Sequence, residues 1–151
     1  METKLLIIEK NAGLADLWKQ YLDKRGCDCA VFIDGSTNRE ALDGWGPPET
    51  ILAGVDLGGT PMSGDDICKR IFGDQDEKSR YVPVIQVSNT YMTQADLTES
   101  GGPALTVLKK PVKLSNLLDA IRRARFHSLK VNFQASNTAV MTAELKDLAL
   151  S

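Results

Sequence analysis

Five short apolar runs, separated by segments of helical period, constrain this sequence more than any other feature. Leu5-Leu6-Ile7-Ile8 is apolar at every position, as a strand covered on both faces requires. Cys27 to Ile33, Ile51 to Val55, Pro83 to Val87 and Leu105 to Leu108 read as further strands. Between and after them lie helical stripes. Asn11, a capable N-cap, precedes Leu14, Leu17, Trp18, Tyr21 and Leu22, whose offsets of three and four draw one face, and Gly26 ends that helix. Ser36 to Trp45 reads as a short helix stopped by Gly46-Pro47-Pro48, and Ile67, Cys68, Ile71 and Phe72 mark another. A short helix is expected over Thr93 to Ser100. Leu114, Leu117, Leu118 and Ile121 give the clearest stripe. Strands alternating with helices in this way imply a parallel sheet covered on both faces, an α/β sandwich.

Composition narrows the function. With 151 residues the chain makes one ordinary domain and an appendage. Lys plus Arg number 18 against 20 for Asp plus Glu, a net charge of -2, which removes the general electrostatic case for nucleic acid. His127 is the single histidine, so neither a His-rich zinc site nor a histidine-based triad is expected. Cys27, Cys29 and Cys68 read as reduced, buried small hydrophobes, and the Cys-x-Cys pair points to one face of its strand. No apolar run approaches the ~20 residues needed to span a bilayer, and Met1-Glu2-Thr3-Lys4 lacks a signal peptide's apolar stretch. A cytoplasmic protein is expected. The first strand-helix loop, Glu9 to Gly13, carries neither a glycine-rich phosphate cradle nor a Ser/Thr cluster for a flavin phosphate, and no nucleophile-histidine pair is visible. An enzyme is therefore not expected.

In open sheets of this kind ligands gather outside the carboxyl ends of the strands. The residues at those ends are Glu9-Lys10, Asp56, Ser88 and Lys110. An acid, a hydroxyl and an ammonium at one mouth suit an acyl phosphate, the carboxylate acting as nucleophile while hydroxyl and lysine hold the phosphoryl oxygens.

On these residues the chain from about Lys4 to Arg125 resembles the receiver domain of two-component response regulators (CheY-like). Asp56 stands where that family's phosphoacceptor ends the third strand, and Gly64 follows it eight residues later, as in the family. Ser88 matches the family's Ser/Thr at the end of the fourth strand. Lys110-Pro111 matches its signature lysine and proline, usually joined by a cis peptide. The resemblance implies a flavodoxin-like (βα)5 fold with strand order 2-1-3-4-5 in a receiver domain over 1–127. It also implies phosphorylation of Asp56 by a histidine kinase, with Mg²⁺ held by Glu9, Asp56 and Gly58.

Lys10 disturbs that chemistry. The family carries two acidic residues after the first strand, and Lys10 stands where the second supplies a direct ligand to Mg²⁺, an ion that wants hard oxygen donors. Two unit charges ~4 Å apart interact by about 4 kcal/mol at an effective dielectric of ~20. A divalent ion facing Lys10 at that distance would meet roughly twice as much repulsion. Lys10 and Lys110 are expected instead to neutralise Asp56 in a closed, salt-bridged cluster. Val107, where the family has its switch aromatic, and Pro61, five residues after Asp56 rather than four, depart in the same direction. The reading is a pseudo-receiver that docks a histidine kinase or other signalling protein, with a homodimer as a further expectation. A conventional phosphoacceptor is the alternative.

Beyond 127 the texture changes. Leu129, Val131, Phe133 and Ala135 alternate with polar residues, Ser136-Asn137 supplies a turn, and Met141, Ala143 and Leu145 alternate again, so that 128–151 suits a hairpin. Thr138 as a cap with Val140, Met141, Leu145 and Leu148 would instead make a helix. Arg122-Arg123-Ala124-Arg125, followed by strands and Asp147 to Ser151, also resembles the opening of a cyclic di-GMP-binding PilZ domain, with Ala149 in place of that family's serine.

Overall fold

In a computed structural model of the chain, residues 3–32, 45, 48–54, 81–88 and 106–150 are described, with side chains of the last segment described to residue 134. The strands are β1 (Thr3–Ile8), β2 (Cys27–Phe32), β3 (Thr50–Ala53), β4 (Val84–Ser88) and β5 (Thr106–Lys109). They form one parallel sheet in the order β2-β1-β3-β4-β5. The α/β architecture read from the sequence and the strand order implied by the resemblance are both present. The helices expected over 36–45, 67–72 and 93–100 lie outside the described residues.

The continuous apolar run of β1 is explained by its position. It pairs with β2 on one side and β3 on the other, and its side chains alternate between two buried faces. Leu5 and Ile7 join Leu52, Ile85 and Val87 in a cluster with Trp18, Leu22, Leu117 and Ile121. Leu6 and Ile8 point the other way, to Ile51, Ala53, Val82 and Val84. Cys27 and Cys29, on edge strand β2, share the first cluster as buried free thiols. A hydrogen bond between them, followed by burial, pushes the Cys29 thiol well up from its ordinary range.

Helix α1 (Ala12–Asp23) begins as its sequence dictates. Asn11 has extended backbone, and its Oδ1 accepts the Leu14 N–H at 3.1 Å. Gly26 closes the connection to β2 with φ +88°, a conformation that disfavours any side chain. The buried face of the helix is Ala15, Trp18 and Leu22; Leu17, placed on the stripe by periodicity, is half exposed. Asn11→Ala is expected to destabilise the domain by ~1 kcal/mol, read by urea denaturation, because one orphan helix donor loses its partner.

Helix α2 (Leu114–Leu150) decides between the hairpin and the helix that the sequence after residue 127 allowed: the backbone stays helical for 37 residues, and the boundary at 127/128 falls inside the helix. The alternation over 129–133 is also compatible with a helix, in which Leu129 and Phe133 are exposed and Val131 is half-buried. Leu117, Ile121, Ala124 and Ser128 turn toward the sheet. Past them, Asn132 grips the chain entering β4. Its Oδ1 accepts the Tyr81 N–H at 3.1 Å and its Nδ2 donates to the Tyr81 carbonyl at 3.2 Å, which also accepts from Ser128 Oγ at 3.0 Å. No helix among the described residues is long and apolar enough to cross a membrane.

Candidate functional site

Parallel pairing brings the carboxyl ends of β1, β3, β4 and β5 to one mouth, so residues far apart in sequence meet there. Ser88 ends β4 opposite Lys109, and its carbonyl accepts the Lys110 N–H at 2.7 Å. The Gly54 N–H, just beyond β3, donates to the Ile8 carbonyl at 2.7 Å. The Lys110-Pro111 peptide is cis, as the resemblance implied. Of the residues singled out in the sequence, Glu9, Ser88 and Lys110 are therefore placed at this mouth. Asp56 and Gly58 lie outside the described residues.

Glu9 continues the alternation of Leu5 and Ile7, so its side chain turns inward toward α1, and only 3% of it is exposed. A buried carboxylate needs partners for both oxygens. Oε2 accepts from Lys110 Nζ at 3.1 Å, and Oε1 accepts from the Asn11 N–H at 3.0 Å. The Lys110 ammonium donates a second bond, 2.9 Å, to the Gly54 carbonyl. Its third neighbour is the ring of Trp18, whose centroid is 5.9 Å away. One lysine thus ties together the ends of β1, β3 and β5.

Two participants were not singled out by the sequence reading. A Cβ built on Gly54 would stand 1.7 Å from Glu9 Oε2, 2.8 Å from its Cδ and 2.8 Å from Trp18 Cη2. The glycine leaves the space in which the carboxylate lies, and the indole walls it. A glycine interrupting a buried strand signals close approach of another group, and Gly54 in Ile51 to Val55 carried that signal.

The expected neutralisation of Asp56 by Lys10 and Lys110 falls on a residue outside the described ones; Lys10 is exposed, so water screens its charge, and Lys110 supplies the cation that faces buried Glu9. At this mouth the ion pair among the described residues is Lys110 with Glu9.

Mg²⁺, implied by the resemblance, can be tested against this donor set. The ion needs oxygen ligands free to face it. Both Glu9 oxygens and the Gly54 carbonyl are occupied by nitrogen donors, the adjacent side chain is an ammonium, and no group of three metal-ligating side chains occurs among the described residues. Asp56 and Gly58, the other ligands the resemblance implies, lie outside the described residues; of the described donors, Glu9 is held by Lys110 rather than left free for an ion.

No protein-family profile matches the sequence, and no curated protein does. Solved structures do match. The chain superposes on NtrX from Brucella abortus in complex with ADP with a TM-score of 0.64, at 19% identity, over 91% of this chain and 29% of that one. For the chemotaxis protein CheY4 of Vibrio cholerae the TM-score is 0.58 at 15% identity, over 82% and 99% of the two chains. For the BeF3-activated N-terminal receiver domain of Klebsiella pneumoniae RstA it is 0.53 at 20% identity, over 81% and 97%. The chain spans 29% of the length of the NtrX chain but nearly all of CheY4 and of the RstA domain. At these identities what is shared is the receiver fold.

Proposed function

We propose that this chain is a signalling module of the receiver class that acts by docking a protein partner, with weak or no Mg²⁺-dependent phosphorylation of Asp56. The observation that carries this reading is the closed acidic pocket. Each oxygen of the Glu9 carboxylate already accepts a hydrogen bond, from Lys110 and from the Asn11 N–H, and the exposed Lys10 stands where a second acid would be needed. At 3.1 Å, two opposite charges attract by about 5 kcal/mol at an effective dielectric of ~20. A metal ion entering the pocket would have to break that pair and strand the ammonium. Asp56, two residues beyond Gly54, keeps the phosphoacceptor position, with Ser88 and Lys110 as its prospective phosphoryl contacts. The partner proposed is a histidine kinase or another signalling protein, and the activity is binding rather than catalysis.

Incubation with acetyl phosphate and Mg²⁺, followed by intact mass measurement, is expected to give no phosphoryl adduct. An adduct that disappears in Asp56→Ala would return the protein to the conventional phosphoacceptor class. Lys10→Asp, which supplies the missing carboxylate, is expected to raise Mg²⁺ affinity in isothermal titration; an unchanged affinity would leave Lys110 alone responsible for closing the pocket.

A further inference from the structure

Cys27 and Cys29 take no part in the pocket. They hold the first and third positions of edge strand β2, at the end of the sheet opposite the mouth. Their partners in register are Thr3 and Leu5 of β1, and like Leu5 they turn toward the core cluster that contains residues of α1 and α2. Both are free thiols, hydrogen-bonded to each other and 7% and 8% exposed, so the pair lies at the rim of the core, within reach of a small solute.

Strand geometry decides what such a pair can do. Alternate residues of a strand stand ~6.6 Å apart, with their side chains on the same face. A disulfide needs the two Cβ atoms at ~3.8 Å, which β2 could supply only by giving up its register with β1. A metal ion bridging the two sulfurs in a line asks for less. With a metal–thiolate bond of ~2.3 Å, it holds the sulfurs ~4.6 Å apart. Two thiols on this repeat reach that separation by leaning toward each other, and their mutual hydrogen bond shows that they do lean.

The surroundings select the ion. Structural zinc takes four ligands, and no group of three Cys, His, Asp or Glu side chains that could hold a metal occurs among the described residues. Asp23, the carboxylate that acts on both thiols, is engaged by Lys19 at 2.5 Å. The cluster around the pair is apolar and supplies no oxygen for a hard cation. Two thiolates in such a setting suit copper in its lower oxidation state. We propose that Cys27 and Cys29 are a two-coordinate binding site for the cuprous ion, a soft monovalent cation. Each thiol gives its proton to solvent as its sulfur bonds the metal, so one ion enters, two protons leave and no oxidation state changes. The centre so formed carries a single negative charge, and Arg122 and Arg125 of α2 lie where their charges favour an anion at Cys27.

Anaerobic titration of the full reduced chain with cuprous ion, in competition with bathocuproine disulfonate, is the test. One ion per chain is expected to pass from the chelator to the protein, and excess zinc is expected to leave it there. X-ray absorption at the copper edge of the wild-type complex should show two sulfur neighbours, a reading that depends on no variant. Cys27→Ala and Cys29→Ala keep the core apolar. With circular dichroism retained, each should weaken binding by more than the ~100-fold lost when only a ligand's outer hydrogen bond is removed. Cys68→Ala should leave the affinity unchanged. No transfer of copper, a third sulfur or any oxygen or nitrogen neighbour, displacement by zinc, binding that survives the first two changes, or binding lost in Cys68→Ala would overturn the inference. None of these outcomes bears on the closed pocket.

Discussion

Gly54→Ala is expected to cost about 3–5 kcal/mol of stability, the range found when a buried ion pair is broken on one side. For a domain of this size that lowers Tm by roughly 10 °C. The substitution adds one carbon, and in an exposed strand it would be nearly harmless. Here the new methyl group would stand 1.7 Å from Glu9 Oε2 and 2.8 Å from Trp18 Cη2. Real contacts do not reach such distances, so one neighbour must leave. Trp18 is 1% exposed and wedged among the α1 and sheet residues, which leaves the carboxylate to be expelled. Its expulsion separates Lys110 from its partner and leaves the Asn11 N–H unbonded. Thermal unfolding of four proteins decides the matter: wild type, Gly54→Ala, Glu9→Ala and the double variant. With the carboxylate already removed, the alanine should cost less than half as much, the remainder coming from the indole. A cost below ~1 kcal/mol in the wild-type background would show that the carboxylate moves aside freely, and the pocket would then not be closed.

How much of this was legible beforehand depends on whether a residue's partner is local. The strands were readable because burial on both faces leaves an apolar run such as Leu5 to Ile8, and β1 was found where that run lies. The start of α1 was readable because Asn11 caps a donor three residues away. Positions at the mouth of the sheet were also readable, since the strand ends themselves carry Glu9, Ser88 and Lys110. What could not be read was which cation meets which acid. Lys10 is the neighbour of Glu9 in sequence, yet successive residues point to opposite sides of an extended backbone, and the lysine that reaches Glu9 is Lys110. Trp18 was hidden for a related reason: its role is to wall a cavity, which only three-dimensional packing defines, whereas Gly54, a glycine inside a buried strand, carried a signal of close approach without naming the group that approaches. The tail stayed open between hairpin and helix because Leu129, Val131 and Phe133 fit both an alternating period and two faces of one helix, and period alone does not arbitrate short apolar stretches.

Lys110→Met carries the other large expected effect, again about 3–5 kcal/mol. Methionine keeps the length of the side chain and its contact with Trp18 but withdraws the charge. The Glu9 carboxylate then stays buried with only the Asn11 N–H, and the Gly54 carbonyl loses a donor. Glu9→Gln should be milder, ~1–3 kcal/mol, because the two partners are not equally enclosed. The Lys110 side chain is 18% exposed against 3% for Glu9, and a stranded lysine can carry its ammonium toward water while a stranded glutamate cannot. The double variant Lys110→Met/Glu9→Gln leaves neither charge uncompensated, so its cost should fall below the sum of the single changes by ~2 kcal/mol, a coupling typical of residues in direct contact. Salt supplies an independent control. A pair at this depth is screened far less than an exposed one, so urea midpoints in 0.1 M and 1 M sodium chloride, conditions that on the order of a threefold change in Debye length separates, should leave the coupling unchanged. Coupling that vanishes in high salt, or a glutamine variant weaker than the methionine one, would mean that the carboxylate faces solvent, and magnesium could then reach it.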